Sequence, residues 1–208
     1  MNGTAHVSIG AATGFIVANS VNASPATMLI LVGLGGVSGL MPDLDVDGKL
    51  RSKVTFSHKV IKMTAQLIGV LMIIYSIYEG MRADRFLGIG IGVAMLIISS
   101  FLKQKHMLII TGIGVIAGAL TLKEMWLLLL GIYIIVASFV SHRSYTHSIL
   151  GVIYFGVIAA KLETSLAIDG AFAACLAGYI GHLIADSKFL PVNKRGVKIF
   201  LPFSSKDF

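Results

Sequence analysis

Charge is scarce in this chain. Asp, Glu, Lys and Arg make up 13% of its 208 residues, against about a quarter in soluble domains. That excludes an ordinary water-facing surface over most of the protein. Cysteine is nearly absent too. The single Cys175 lies in an apolar run, which rules out a disulfide framework and reads as a small packing residue. No Lys or Arg precedes Lys49, so the basic start of a cleavable signal peptide is missing and none is expected. Proline occurs four times and tryptophan once. The basic residues show no aromatic interleaving, and binding of DNA or RNA is not expected.

What is present is apolar sequence. Hydrophobic residues account for 56% of the chain, and the mean hydropathy is +0.87. Apolar runs fall at about 7–22, 26–41, 63–78, 86–102, 107–122, 125–140, 148–160 and 165–185. A membrane-crossing helix needs roughly 17–25 such residues, so some runs are short for a full pass. The expected fold is all-α: a polytopic membrane bundle of about eight apolar helices, some short or half-buried. We expect a single membrane-embedded domain over 1–208. Gly10 and Gly14, Gly35 and Gly39, and Gly114 and Gly118 are spaced four apart, as in close helix contacts. GIGIG at 88–92 follows no strand and is not a nucleotide-binding loop.

The net charge of +7 has a topological reading. With eight passes, 13 of the 17 basic residues share the side of the N-terminus; only Arg82, Arg85, Lys123 and Lys161 lie opposite. The positive-inside rule then places both termini in the cytoplasm. The same sorting gathers His6, His58, His106, His142, His147, His182, Asp43, Asp45, Asp47 and Asp186 toward that face.

Four segments could carry chemistry. HLIAD at 182–186 ends an apolar helix and sets His182 and Asp186 one turn apart on a shared face. The pair suits a metal ion, or a local hydrogen bond closing the helix. SHRSYTHS at 141–148 joins two apolar runs. A turn there, with Ser144 or Thr146 capping the next helix, could aim His142 and His147 at one point. Arg143 between them has the planar fork that grips phosphate or carboxylate. DLDVDG at 43–48 opens like a calcium loop, but the twelfth position is Val54 where a bidentate glutamate is required. Its aspartates are then a solvated turn or one corner of another metal site. His6 stands alone at the start of the first run. His58 and His106 have basic neighbours and read as interfacial.

Taken in order, His6, Met41-Pro42-Asp43-Leu44-Asp45, His142-Arg143-Ser144-Tyr145-Thr146-His147-Ser148, Gly178-Tyr179 with His182 and Asp186-Ser187, and Gly196-Val197 with Pro202-Phe203 resemble the YdjM-like family of bacterial and archaeal membrane proteins. The resemblance covers roughly 1–58 and 141–203. About 95 residues separate its two central motifs, and a four-helix block over about 60–140 reads as an insertion of four passes. Ser144 stands where the family has glycine.

That resemblance implies a metal-dependent hydrolase of the inner or plasma membrane, with its site at the cytoplasmic interface. The family is distantly similar to zinc-dependent phospholipase C and related nucleases. It implies His6, Asp43, Asp45, His142, His147, His182 and Asp186 as ligands of one or more divalent ions, zinc first, then manganese or iron. Asp43 or Asp45 would take a proton and Arg143 would steady a phosphate. Membrane lipids are the expected partners, and a lipid phosphate the expected substrate. The alternatives are a metal-binding transporter and a non-catalytic membrane scaffold.

Overall fold

A computed structural model describes residues 3–44, 57–79, 82–141, 143–188 and 196–208. Among them there are eight α-helices, two short 3-10 helices and no strand. The helices are α1 (Gly3–Ser20), α2 (Pro25–Ser38), α3 (His58–Glu79), α4 (Arg82–Ser100), α5 (Gln104–Leu122), α6 (Met125–Ala137), α7 (Ile149–Leu166) and α8 (Ala171–Asp186). Each answers to one apolar run. The boundary between the last two differs, because α7 continues through Leu166 and stops where Ala167 and Gly170 take left-handed backbone.

Three helices, α3, α5 and α7, are long and apolar enough to cross a membrane. Helices α2, α6 and α8 are apolar but have only 14, 13 and 16 residues. At about 1.5 Å per residue they fall short of a hydrocarbon core about 30 Å thick. Large apolar side chains stay exposed along most helices, for example Leu29, Leu67, Phe86, Ile98 and Ile153. Hydrocarbon can cover such faces at no hydrophobic cost, whereas water would not.

The chain divides into two compact units: Met1–Arg51 with Ile109–Phe208, and Ser52–Leu108. In the second unit α3 packs on α4 through a reciprocal approach, Gly69 to the Gly92 carbonyl and Gly92 to that of Gly69. His58 Nδ1 lies 2.7 Å from Gln104 Oε1, and His106 Nδ1 accepts from the Lys103 amide. Both imidazoles are committed to local structure.

The first unit is built on a crossing of α1, α2 and α8. Added Cβ atoms at Gly10 and Gly178 would both land on the Gly35 carbonyl, and one at Gly14 on that of Leu31. Only glycine lets these backbones meet. Of the three spaced pairs in the sequence, Gly10/Gly14 and Gly35/Gly39 make such contacts. Gly114 and Gly118 do not: no described atom lies within 4 Å of a Cβ at either. The α5 contact uses Gly112, two residues away and so on nearly the opposite face, against Gly131 of α6. Cys175 is buried and free.

Short polar links finish the unit. Ser24 caps α2 by accepting from the Thr27 amide, with Pro25 at the first helical position. Ser148 caps α7, its hydroxyl accepting from the Gly151 amide; neither Ser144 nor Thr146 does so, because Ser144 precedes the 3-10 turn Tyr145–His147 and Thr146 lies within it. The Ile149 amide donates to the Ile199 carbonyl, and Val197 and Phe208 exchange two backbone hydrogen bonds. The last segment is thereby tied to the start of α7.

Candidate metal centre

The crossing at Gly35 sets one end of α1, α2 and α8 side by side, and the polar motifs sit at that end. After α2 the chain turns into the 3-10 helix Met41–Leu44, which buries Asp43. His182 and Asp186 occupy adjacent turns on the buried face of α8. The 3-10 turn Tyr145–His147 delivers the fully buried His147. Ligand atoms of Asp43, His147, His182 and Asp186 all lie within 4.8 Å of one another.

Hydrogen bonds decide how the rings face. His182 Nδ1 lies 2.7 Å from the Gly39 carbonyl. A carbonyl only accepts, so Nδ1 carries the proton and Nε2 presents a lone pair. That Nε2 points to His147 Nε2 at 3.2 Å, Asp43 Oδ1 at 3.7 Å and Asp186 Oδ2 at 3.9 Å. His147 Nε2 is 3.8 Å from Asp43 Oδ1, while its Nδ1 meets the Thr146 hydroxyl at 3.1 Å. Two imidazoles held from behind by oxygen atoms, with carboxylates in front, are the usual setting of metal-ligating histidines.

A divalent cation fits this donor set. Two ligands on a tetrahedral ion with bonds of roughly 2.0–2.1 Å stand about 3.3 Å apart, close to the Nε2–Nε2 separation. Two carboxylates facing two imidazoles also gather anionic oxygen atoms in a buried space, a setting that suits a cation.

His6 stands beside this group. It is 1% exposed, stacks on His182 with centroids 3.8 Å apart, and places Nε2 3.4 Å from Asp186 Oδ1. If Nε2 donates there, Nδ1 is a buried lone pair, and it has no hydrogen-bond partner among the described residues. Arg143 reaches the same carboxylate from the other side, with Nη2 3.1 Å from Asp186 Oδ2. Its backbone is left-handed, φ 61°, a conformation that costs a non-glycine residue about 1–3 kcal/mol and turns the guanidinium toward α8. The guanidinium side chain is 20% exposed. Ser144 is buried and closes the turn: its hydroxyl donates to the Ser141 carbonyl and its own carbonyl accepts from the His147 amide.

Asp45 and His142 lie outside the described residues, as do Asp47 and Val54 of the calcium-loop reading. Three supporting groups went unnoticed as such in the sequence. Gly39 supplies the carbonyl that sets the His182 tautomer, and a Cβ on it would press against the His6 carbonyl. Thr146 orients His147. Tyr179, which shares a motif with His182, donates to the Thr146 carbonyl, and its oxygen lies 3.2 Å from the Tyr133 hydroxyl. Tyr133 in turn donates to the Met41 carbonyl, so one chain of hydroxyls joins the two 3-10 turns.

The family model described as YdjM inner membrane protein matches residues 1–208. The match runs through the middle of the chain, including the block that motif resemblance alone leaves out. No curated protein and no solved structure matches the chain.

Proposed function

The chain belongs to the YdjM inner membrane protein family, and from that premise we propose that it is a membrane-bound, metal-dependent hydrolase of a phosphoester presented from the bilayer. The observation that carries the reading is the convergence of Asp43, His147, His182 and Asp186, from opposite ends of the sequence, to within 4.8 Å. These four would hold the ion, with zinc the best match to imidazole and carboxylate, and manganese or iron accommodated by the same donors. Once bound, a divalent cation supplies Lewis acidity and lowers the pKa of water.

The remaining roles belong to the chain. Gly39 and Thr146 fix the two imidazoles. Asp186 is already engaged by His6 and Arg143. Asp43 is the more accessible carboxylate, its side chain 11% exposed against 3% for Asp186, and is the one to take a proton from water. Arg143, the rim residue whose side chain is 20% exposed, binds the phosphoryl oxygens. A cytoplasmic location for the site, with both termini on that side, is supported by the distribution of 13 of 17 basic residues.

The test combines metal analysis with turnover. Purified protein should carry a transition metal that His182→Ala and His147→Ala lose, along with hydrolysis of a lipid phosphate. Protein free of transition metal, with both variants fully active in cells, would overturn the proposal. Metal uptake into proteoliposomes without hydrolysis of any lipid phosphate would replace it with a transporter.

A further inference from the structure

Between α6 and α7 lies a cavity of about 420 Å³, within the size range of small-molecule sites, roughly 300–1,000 Å³. Small residues make room for it. Ala137 ends α6, and Gly151 lets the 3-10 turn lie against α7, since a Cβ there would meet the Tyr145 and Thr146 carbonyls. The walls are almost wholly apolar. Space of this size between packed helices forfeits dispersion contacts unless something fills it.

Two observations identify the occupant. First, the mouth opens between lipid-type faces. Val136 of α6 and Leu150 of α7 both line the cavity and are 52% and 44% exposed. Along the same helical stripes Ile132, Ile153 and Val157 are exposed large apolar side chains, as is Phe139 just beyond the end of α6. The cavity is therefore continuous with the surface that hydrocarbon covers. Second, its inner end is the back of the metal centre. Thr146 and Tyr133 line it; the first holds His147 Nδ1 and the second meets Tyr179. The turn that closes this end is the one that also carries Arg143.

We propose that this cavity is the chain-binding subsite, taking one hydrocarbon chain of a membrane-embedded phosphate ester and presenting its head to the Arg143–His147 turn. The inference rests on the phosphoester reading for the identity of the head. A chain entering sideways from the bilayer keeps its apolar length out of water while its phosphate meets the guanidinium. A water-soluble phosphate would leave the cavity unfilled and be the poorer ligand.

The test uses a probe that cannot be turned over, so that it stands apart from catalysis. Dodecyl phosphonate with a diazirine at its far end is photolysed with the full chain in phosphatidylcholine nanodiscs, and labelled peptides are mapped. The expected result is saturable labelling within residues 133–154, competed by unlabelled dodecyl phosphonate and not by inorganic phosphate at equal concentration. Val136→Trp and Leu150→Trp, both on the lipid-facing mouth, should each reduce that label at least fivefold with metal content unchanged. A trimethylammonium head on the same chain should label several-fold less.

Labelling that does not saturate and spreads over α3, α5 and α7 alike would overturn the proposal, as would equal labelling by the ammonium probe. Should a tryptophan variant fail to elute as wild type, mapping and competition on the wild-type chain decide. Saturable labelling without hydrolysis of any dodecyl phosphoester would retain the subsite and remove the hydrolase.

Discussion

Replacing Gly35 with alanine adds one methyl group where three helices cross. That Cβ would lie on the Gly10 carbonyl and 3.0 Å from both Cα and N of Gly14. These are backbone atoms, so no side chain can rotate away. Ordinary contact begins near 3.4 Å, and α1 and α2 must part by about 0.4 Å at Gly14, and by more at Gly10. Overpacking of this kind costs about 1–3 kcal/mol, and contact with backbone puts it in the upper half. The better helix propensity of alanine offsets up to about 1 kcal/mol, leaving a net loss of about 2 kcal/mol. The consequence reaches the metal centre, because α1 carries His6 and the end of α2 carries the Gly39 carbonyl that holds His182 Nδ1 at 2.7 Å. Disturbing such a supporting contact typically weakens metal binding by about 10–100-fold. The assay is thermal unfolding in detergent together with a zinc competition titration. Gly114→Ala is the control, since no described atom lies within 4 Å of its Cβ; it should be neutral or stabilising by up to about 1 kcal/mol. Equal melting temperatures and equal zinc affinities for the two variants would refute the reasoning.

Other outcomes follow from the same geometry. With zinc at a hundred times its Kd the folded state gains about 2.7 kcal/mol; chelator should therefore lower the melting temperature of the wild type and leave that of His182→Ala unmoved. Arg143→Lys keeps the charge but loses the planar fork; we expect about a tenfold fall in kcat/KM for a phosphoester with metal content unchanged, and steady-state kinetics with metal analysis checks both. Tyr179→Phe removes a buried hydroxyl that donates to the Thr146 carbonyl; losing that bond should cost about 1 kcal/mol, read as a lower unfolding midpoint.

The helices were legible because a long continuous apolar run satisfies its own backbone hydrogen bonds in lipid as a helix, and the eight runs became eight helices among the described residues. His182 and Asp186 were legible for a similar local reason, as helical spacing alone puts them on one face. The meeting of Asp43 and His147 with that pair was not local. It depends on a crossing of three helices whose contact residues are glycines, and spacing cannot tell Gly35, packed against two backbones, from Gly114, whose Cβ would have no described atom within 4 Å. Ser148 displaced Ser144 and Thr146 as the cap because the turn before α7 is itself a 3-10 helix. The Gly39 carbonyl was invisible for a plainer reason: every residue has a carbonyl, and only the fold decides which one faces an imidazole.

The hydrogen bond from His182 to Gly39 joins positions 143 residues apart. Asp43 is made early in synthesis, His147 late, and His182 with Asp186 later still. A nascent chain that has inserted α1 to α7 holds only half of the four-residue ligand set. Completion of the ligand set therefore waits for α8 to pack against the α1–α2 pair. Bound metal would then act as a completion signal, distinguishing a fully inserted protein from a stalled or truncated one.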